Sequence, residues 1–258
     1  MTALVLGGGG PVGASWMSAL LNGLIEAGVP LDSEVVLGTS AGSVVGAWLT
    51  MQPEGLADVP ALMSKRAAWH SGNASAGRQN TGAFTRMMET GRAAAVATPP
   101  ISVDQADELW KPMLPEGDWP TRLRMTSVNA ATREARAWSA QDGIPLTVGV
   151  ACSTAAPGIA PPVEVNGEIW LDGGVRSGTN ADLVTGDALV VAPIASEGLA
   201  REEALLVERG YRVRTIVAER FYNSPVDLID PRLIDVGAAA GADQARGLAS
   251  SLLSWRNP

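Results

Sequence analysis

The chain has 258 residues, 46% hydrophobic and 18% charged, with a formal net charge of −8 and a pI near 4.7. That is enough apolar material for a sizeable core in a single domain spanning residues 1–258, and the acidic balance, with only two lysines (Lys65 and Lys111), excludes the cation clusters that a nucleic-acid backbone requires. One cysteine, Cys152, excludes an internal disulfide; no apolar run nears the ~20 residues that span a bilayer, and Met1-Thr2-Ala3-Leu4-Val5 does not open like a signal peptide, so a cytoplasmic protein with at most peripheral membrane contact is expected.

The first predicted element is a short buried strand, Ala3 to Leu6, followed by Gly7-Gly8-Gly9-Gly10-Pro11-Val12-Gly13 and a helix. Trp16, Ala19, Leu20, Leu24 and Ala27 mark the core face of that helix, and Gly28 suits the position just beyond its end. A glycine loop at a helix N-terminus offers free N–H groups and a partial positive charge to an anion. Two anions compete for it. Residues 8–13 match the G-x-G-x-x-G dinucleotide fingerprint, which also wants an acid at the end of the next strand. Asp32 and Glu34 instead precede the strand Val35 to Leu37, so no cofactor is expected. The second anion is the oxyanion of a tetrahedral intermediate.

Such an intermediate would form on the next motif, Gly38-Thr39-Ser40-Ala41-Gly42, set between that strand and a helical pattern of Val44, Val45, Trp48 and Leu49. In a Gly-x-Ser-x-Gly elbow the serine occupies a strained strand-to-helix turn, and backbone approaches so closely that Gly38 and Gly42 have no room for a Cβ. Ser40 is therefore a candidate nucleophile, the alternative being a turn without chemistry.

Downstream, Glu54 to His70 reads as a helix, Ser71 to Asn80 as a loop and Gly82 to Ala95 as another helix. The proline-interrupted stretch from Pro99 to Pro120 carries Trp110 on a short helix and Trp119 in a loop, and is either a lid, a lipid-touching edge or ordinary packing. Arg122 to Ala130 and Arg133 to Ala140 alternate as a hairpin, and a helix follows over Pro145 to Ser153. Asn166-Gly167 between Val163-Glu164-Val165 and Glu168-Ile169-Trp170-Leu171 is a strong hairpin signal that leaves Asp172 at a strand end, before Gly173-Gly174. An aspartate there is also an ordinary turn former. Val190 and Val191, then Val213 to Val217, read as strands, and a closing helix presents Ala238, Ala242, Ala245, Ala249 and Leu252 to the core.

The base for Ser40 follows by elimination. His70 is the only histidine and precedes every later acid, so the Ser, Asp, His order of an α/β-hydrolase is not available. Cys152 has no histidine partner and reads as a small buried residue, and one histidine, one cysteine and no spaced acidic cluster leave no metal site. Asp172 remains.

Three motifs in order, the glycine loop after the first strand, Gly38-Thr39-Ser40-Ala41-Gly42 after the second and Asp172-Gly173-Gly174 much later, resemble those of patatin-like phospholipases over about residues 3–195. The resemblance implies an α/β fold, a three-layer α/β/α sandwich with a largely parallel central sheet, and a Ser-Asp dyad acting on lipid acyl esters. Carried across, it makes Ser40 the nucleophile, Asp172 the base and Gly8, Gly9 and Gly10 the oxyanion hole, with Gly13, Gly38, Gly42, Gly173 and Gly174 in support. Asn180 resembles an asparagine of the family and is expected to fix the loop. Where family members carry Arg or Lys before the last glycine of the first loop, this chain has Val12, which leaves the backbone donors intact and removes a cation from the substrate's side. An acyltransferase using the same serine and a non-catalytic lipid-binding relative are the alternatives. An unperturbed aspartate titrates near 3.9, so partial burial beside Trp170 and Leu171 is expected to raise the pKa of Asp172 toward a useful base.

Overall fold

The computed structural model describes residues 3–73 and 98–256. The helix expected over Gly82 to Ala95 and the side chain of His70 lie outside the described residues. Eight strands form one sheet: β1 (Ala3–Leu6), β2 (Val35–Thr39), β3 (Leu123–Asn129), β4 (Ala135–Trp138), β5 (Val163–Val165), β6 (Glu168–Asp172), β7 (Ala188–Ala192) and β8 (Val213–Val217). The hydrogen-bonded order is β5-β6-β3-β2-β1-β7-β8, with β4 also on β3. The block β3-β2-β1-β7-β8 is parallel throughout, while β4 and β6 join β3, and β5 joins β6, antiparallel. β1 lies between β2 and β7 and is buried over its whole length, which is why Ala3-Leu4-Val5-Leu6 reads as a continuous apolar run.

Seven described α-helices flank the sheet: α1 (Gly10–Glu26), α2 (Ala41–Met51), α3 (Val59–Asn73), α4 (Val103–Trp110), α5 (Leu146–Ser153), α6 (Glu197–Glu208) and α7 (Ile234–Arg256). Leu4, Leu6, Val36, Met125 and Val191 point into a thick layer with α1 and α2 at its centre. Ala3, Val5, Leu37 and Val190, the alternate positions, face a thinner layer built from α6 and the turn Ala181–Leu183. This is the expected α/β sandwich. Gly28 ends α1 at φ 78, with its N–H donating to Ile25 O and that of Val29 to Leu24 O, the paired bonds of a Schellman motif.

Two expectations need correction, and one choice left open by the sequence is decided in favour of ordinary packing. α3 runs on to Asn73, so residues 71–73 are helical rather than loop, and the predicted start of that helix is a 3₁₀ turn, Pro53–Asp58. Trp110 and Trp119 belong to the core: Trp110 stacks beneath the Arg66 guanidinium and the Trp119 indole N–H donates to Leu123 O, so neither ring is free to touch lipid. On α7, Ala245 and Leu252 are buried as expected and Ala238 and Ala242 only partly, and the nearest approach to α1 falls at Gly237 and Gly241. A Cβ on Gly241 would stand 2.1 Å from Trp16 O, so the closest approach falls where no side chain is present to announce burial. Gln244 seals the seam, accepting from the Trp16 indole and donating to Val217 O.

The register of β3 decides what happens above the sheet. Thr126 pairs with Thr39 of β2 on one edge and Ala137 of β4 on the other; the next residue, Ser127, pairs with Arg136 of β4 and Asp172 of β6. Since β4 keeps its own edge throughout, β2 and β6 share the remaining edge, running toward each other and stopping end to end. Thr39 and Asp172 are the last residues of those two strands.

Candidate active site

Ser40 leaves β2 and caps α2 in a left-handed conformation, φ 52 and ψ −117, that a non-glycine residue holds only under constraint. The constraint is visible atom by atom. A Cβ on Gly42 would lie 2.0 Å from Leu6 O, and one on Gly38 would lie 2.5 Å from Gly42 O. The Ser40 N–H donates to Ser153 Oγ at 2.9 Å, and its carbonyl accepts from Ser43 N–H at 2.9 Å and from Ser43 Oγ at 2.6 Å. Held this way, the half-buried hydroxyl projects beyond the strand end and at the positive end of α2.

Asp172 is 4% exposed. Its N–H donates to Ala155 O at 3.0 Å, and its Oδ1 accepts from Gly174 N–H at 2.6 Å. The Ser40 side chain faces its carboxyl closely enough to favour the ionised form, but burial dominates and pushes the pKa up to about 6. Burial beside Trp170 and Leu171 was expected to be partial and is nearly complete. Gly173 is required by contact, because a Cβ there would stand 2.3 Å from Thr126 Oγ1.

The glycine loop flanks Ser40. A Cβ on Gly8 would come within 3.3 Å of Ser40 Cβ. The three amides expected to act alike do not. Gly8 N–H already donates to Gly178 O at 2.7 Å, whereas among the described residues Gly9 and Gly10 N–H have no acceptor. Gly10 sits at φ 60, and the loop is closed by Gly13 N–H donating to Gly9 O at 2.9 Å. Val12 is wholly buried, so a hydrophobic residue fits the place where a cation was absent.

Beneath the meeting point of β2 and β6 lies a polar brace on the α6 face. Asn180, buried and left-handed at φ 53, donates through Nδ2 to Ser177 O at 2.8 Å, Gly173 O at 3.2 Å and Thr39 Oγ1 at 3.2 Å. Its Oδ1 accepts from Arg176, which also forms a bidentate pair with Asp182. Thr39 and Thr126 join their hydroxyls at 2.7 Å, and the buried Glu202 accepts from Thr179 Oγ1 and Ala181 N–H. The sequence pointed to Asn180 only through a family resemblance. Ser153, Thr39, Thr126 and Glu202 were not singled out: each is an ordinary polar residue whose partner lies on a distant element. Cys152 is buried and its thiol pushed up to about 12 by that burial, which removes it as a nucleophile.

A family model described as patatin-like phospholipase matches residues 4–185. No curated protein matches the sequence. Among solved structures, VipD from Legionella pneumophila is similar at 14% identity and a TM-score of 0.47, the alignment covering 97% of this chain and 67% of that one. With its glycine loop, serine elbow and Asp-Gly-Gly turn all inside the matched region, the chain belongs to the patatin-like phospholipase family of lipid acyl hydrolases.

Proposed function

We propose that this protein is a serine acyl-ester hydrolase of the phospholipase A type, acting through an acyl-enzyme on Ser40 with Asp172 as general base and the free amides of Gly9 and Gly10 as the oxyanion hole. The observation that carries this reading is the meeting of two strand ends on one edge of β3, which brings the Ser40 side chain against a buried carboxyl whose pKa is raised to about 6. A carboxylate titrating there is ionised at neutral pH and still basic enough to take a proton.

In the first half-reaction Ser40 Oγ attacks the ester carbonyl carbon while its proton passes to Asp172. The negative charge that develops on the carbonyl oxygen is met by Gly9 and Gly10 N–H. Collapse breaks the bond to the alcohol, which leaves with the proton held by Asp172. In the second, water attacks the acyl-serine, Asp172 accepts its proton, and the carboxylic acid departs as Ser40 Oγ recovers that proton. Gly8 is left out of the hole because its amide is engaged by Gly178 O, and it serves instead to keep the loop within reach of Ser40.

Among the described residues no helix is long and apolar enough to cross a membrane. The proposed substrate is a lipid ester, and the proposed route to it is peripheral contact from the cytoplasm. Hydrolysis of p-nitrophenyl esters of graded chain length by wild type and Ser40→Ala tests the reading. Turnover should fall by at least ~10³-fold in the variant, and an unchanged rate would overturn it. Adding glycerol separates an acyltransferase, which would divert the acyl group to the added alcohol.

A further inference from the structure

Adjacent residues of β3 place the ends of β2 and β6, but Ser40 lies one residue beyond β2, in the turn, so the sheet ladder does not itself fix Ser40 against Asp172. The end of α5 touches both. Ser153, its last residue and wholly buried, presents Oγ to the Ser40 N–H at 2.9 Å. Two residues on, the Ala155 carbonyl accepts the Asp172 N–H at 3.0 Å. Thus one short stretch of chain grips the backbone amide of each candidate catalytic residue, from the sheet face opposite Asn180.

The two grips are not equivalent. Ala155 bonds through its main chain, which most substitutions would leave in place. Ser153 bonds through its side chain, and its partner is the amide of a residue held at φ 52, where a serine stays only if its surroundings insist. Without that acceptor, a buried N–H is left unsatisfied at the most strained residue of the elbow. The Ser40 N–H is engaged by Ser153 Oγ and so is not a free donor like those of Gly9 and Gly10.

We propose that Ser153 is a positioning residue: its hydroxyl, together with the Ala155 carbonyl, forms a two-point clamp that sets the spacing between Ser40 and Asp172. This rests on the assignment of Ser40 as nucleophile. The clamp contributes to the rate of attack rather than to substrate binding.

Fluorophosphonate inactivation kinetics of wild type, Ser153→Ala and Cys152→Ala test it. In Ser153→Ala the maximal rate of inactivation should fall about 10- to 100-fold, since small misplacements of reacting groups have effects of that size, with half-saturation changed by less than about twofold. Cys152→Ala loses buried volume one residue away while keeping the Ser153 hydroxyl that accepts the Ser40 N–H, and should react at the wild-type rate at a comparable loss of thermal stability. Undiminished reaction of Ser153→Ala, or equal slowing in Cys152→Ala, overturns the clamp. Wild type that is never modified on Ser40 overturns the nucleophile assignment itself, a separate failure. Should Ser153→Ala not fold, hydrogen exchange in wild type decides: the Ser40 amide should be strongly protected, and exchange at the unprotected rate would overturn the proposal.

Discussion

Replacing Asp172 by asparagine should abolish activity and at the same time stabilise the protein at alkaline pH. The carboxyl is 4% exposed and burial lifts its pKa from 3.8 to about 6. A pKa raised in the folded state means that the contribution of this group to stability is greatest below its unfolded value and is lost as pH rises through about 6. The difference between 3.8 and about 6 corresponds to about 3 kcal/mol at pH 8, and about half of that at pH 5. Asparagine keeps the shape and can retain the acceptor for Gly174 N–H, but carries no charge to desolvate. The gain in Asp172→Asn over wild type should therefore approach about 3 kcal/mol at pH 8 and shrink as pH falls toward 4. For a chain of this size that is a rise in Tm of about 6–12 °C. Urea denaturation of both proteins at pH 5 and pH 8 reads it directly. If the difference between the two proteins were the same at both pH values, or if asparagine were the less stable at pH 8, the raised pKa and the buried charge behind it would be refuted.

Under the proposed mechanism the same titration governs rate. Only the ionised carboxylate accepts a proton, so kcat/KM should fall about tenfold per pH unit below about 6, and a profile flat from pH 4 to 7 with the protein still folded would contradict this. Gly9→Ala forces a Cβ to within 2.7 Å of Pro193 Cγ and should lower kcat by ~10² or more through the displaced loop, whereas Gly28→Ala, at φ 78 with open space around it, should cost about 1 kcal/mol of stability and leave kcat unchanged. Equal kinetic effects of the two would show that the glycine loop has no special place in the reaction. Asn180→Asp turns the donor facing Gly173 O and Ser177 O into an acceptor and should destabilise by about 2–4 kcal/mol with a fall in turnover; wild-type stability by urea titration would remove Asn180 from the brace.

The elements that hold the site were readable because each carries a local signature. Glycines on both sides of Ser40, the Asn166-Gly167 turn that delivers Asp172 to a strand end, and the alternation of β3 and β4 are short-range patterns, and each of these elements is found where its pattern put it. What was not readable is which distant partner each element selects. β3 looked like one arm of a hairpin, yet its other edge takes β2 and then β6 in succession, and no periodicity in Leu123–Asn129 marks the change at Thr126. The packing of α7 was legible only in part: Ala245 and Leu252 are buried as expected, whereas Gly237 and Gly241, the points of nearest approach, have no side chain to contribute to an apolar pattern. α6 was not singled out, although Leu199 and Leu206 form a buried apolar stripe; the stripe is interrupted by the polar Glu202, which is buried with them. The unequal amides of Gly8, Gly9 and Gly10 likewise depend on Gly178 O, a group some 170 residues away in the chain.

The most direct test is to incubate the protein with a fluorophosphonate at pH 8 and locate the adduct by peptide mass spectrometry. A single phosphonate on the peptide containing Ser40, absent from Ser40→Ala and strongly slowed in Asp172→Asn, is the predicted result. Modification at another serine, or labelling of Asp172→Asn at the wild-type rate, would contradict the pairing of that hydroxyl with that carboxylate.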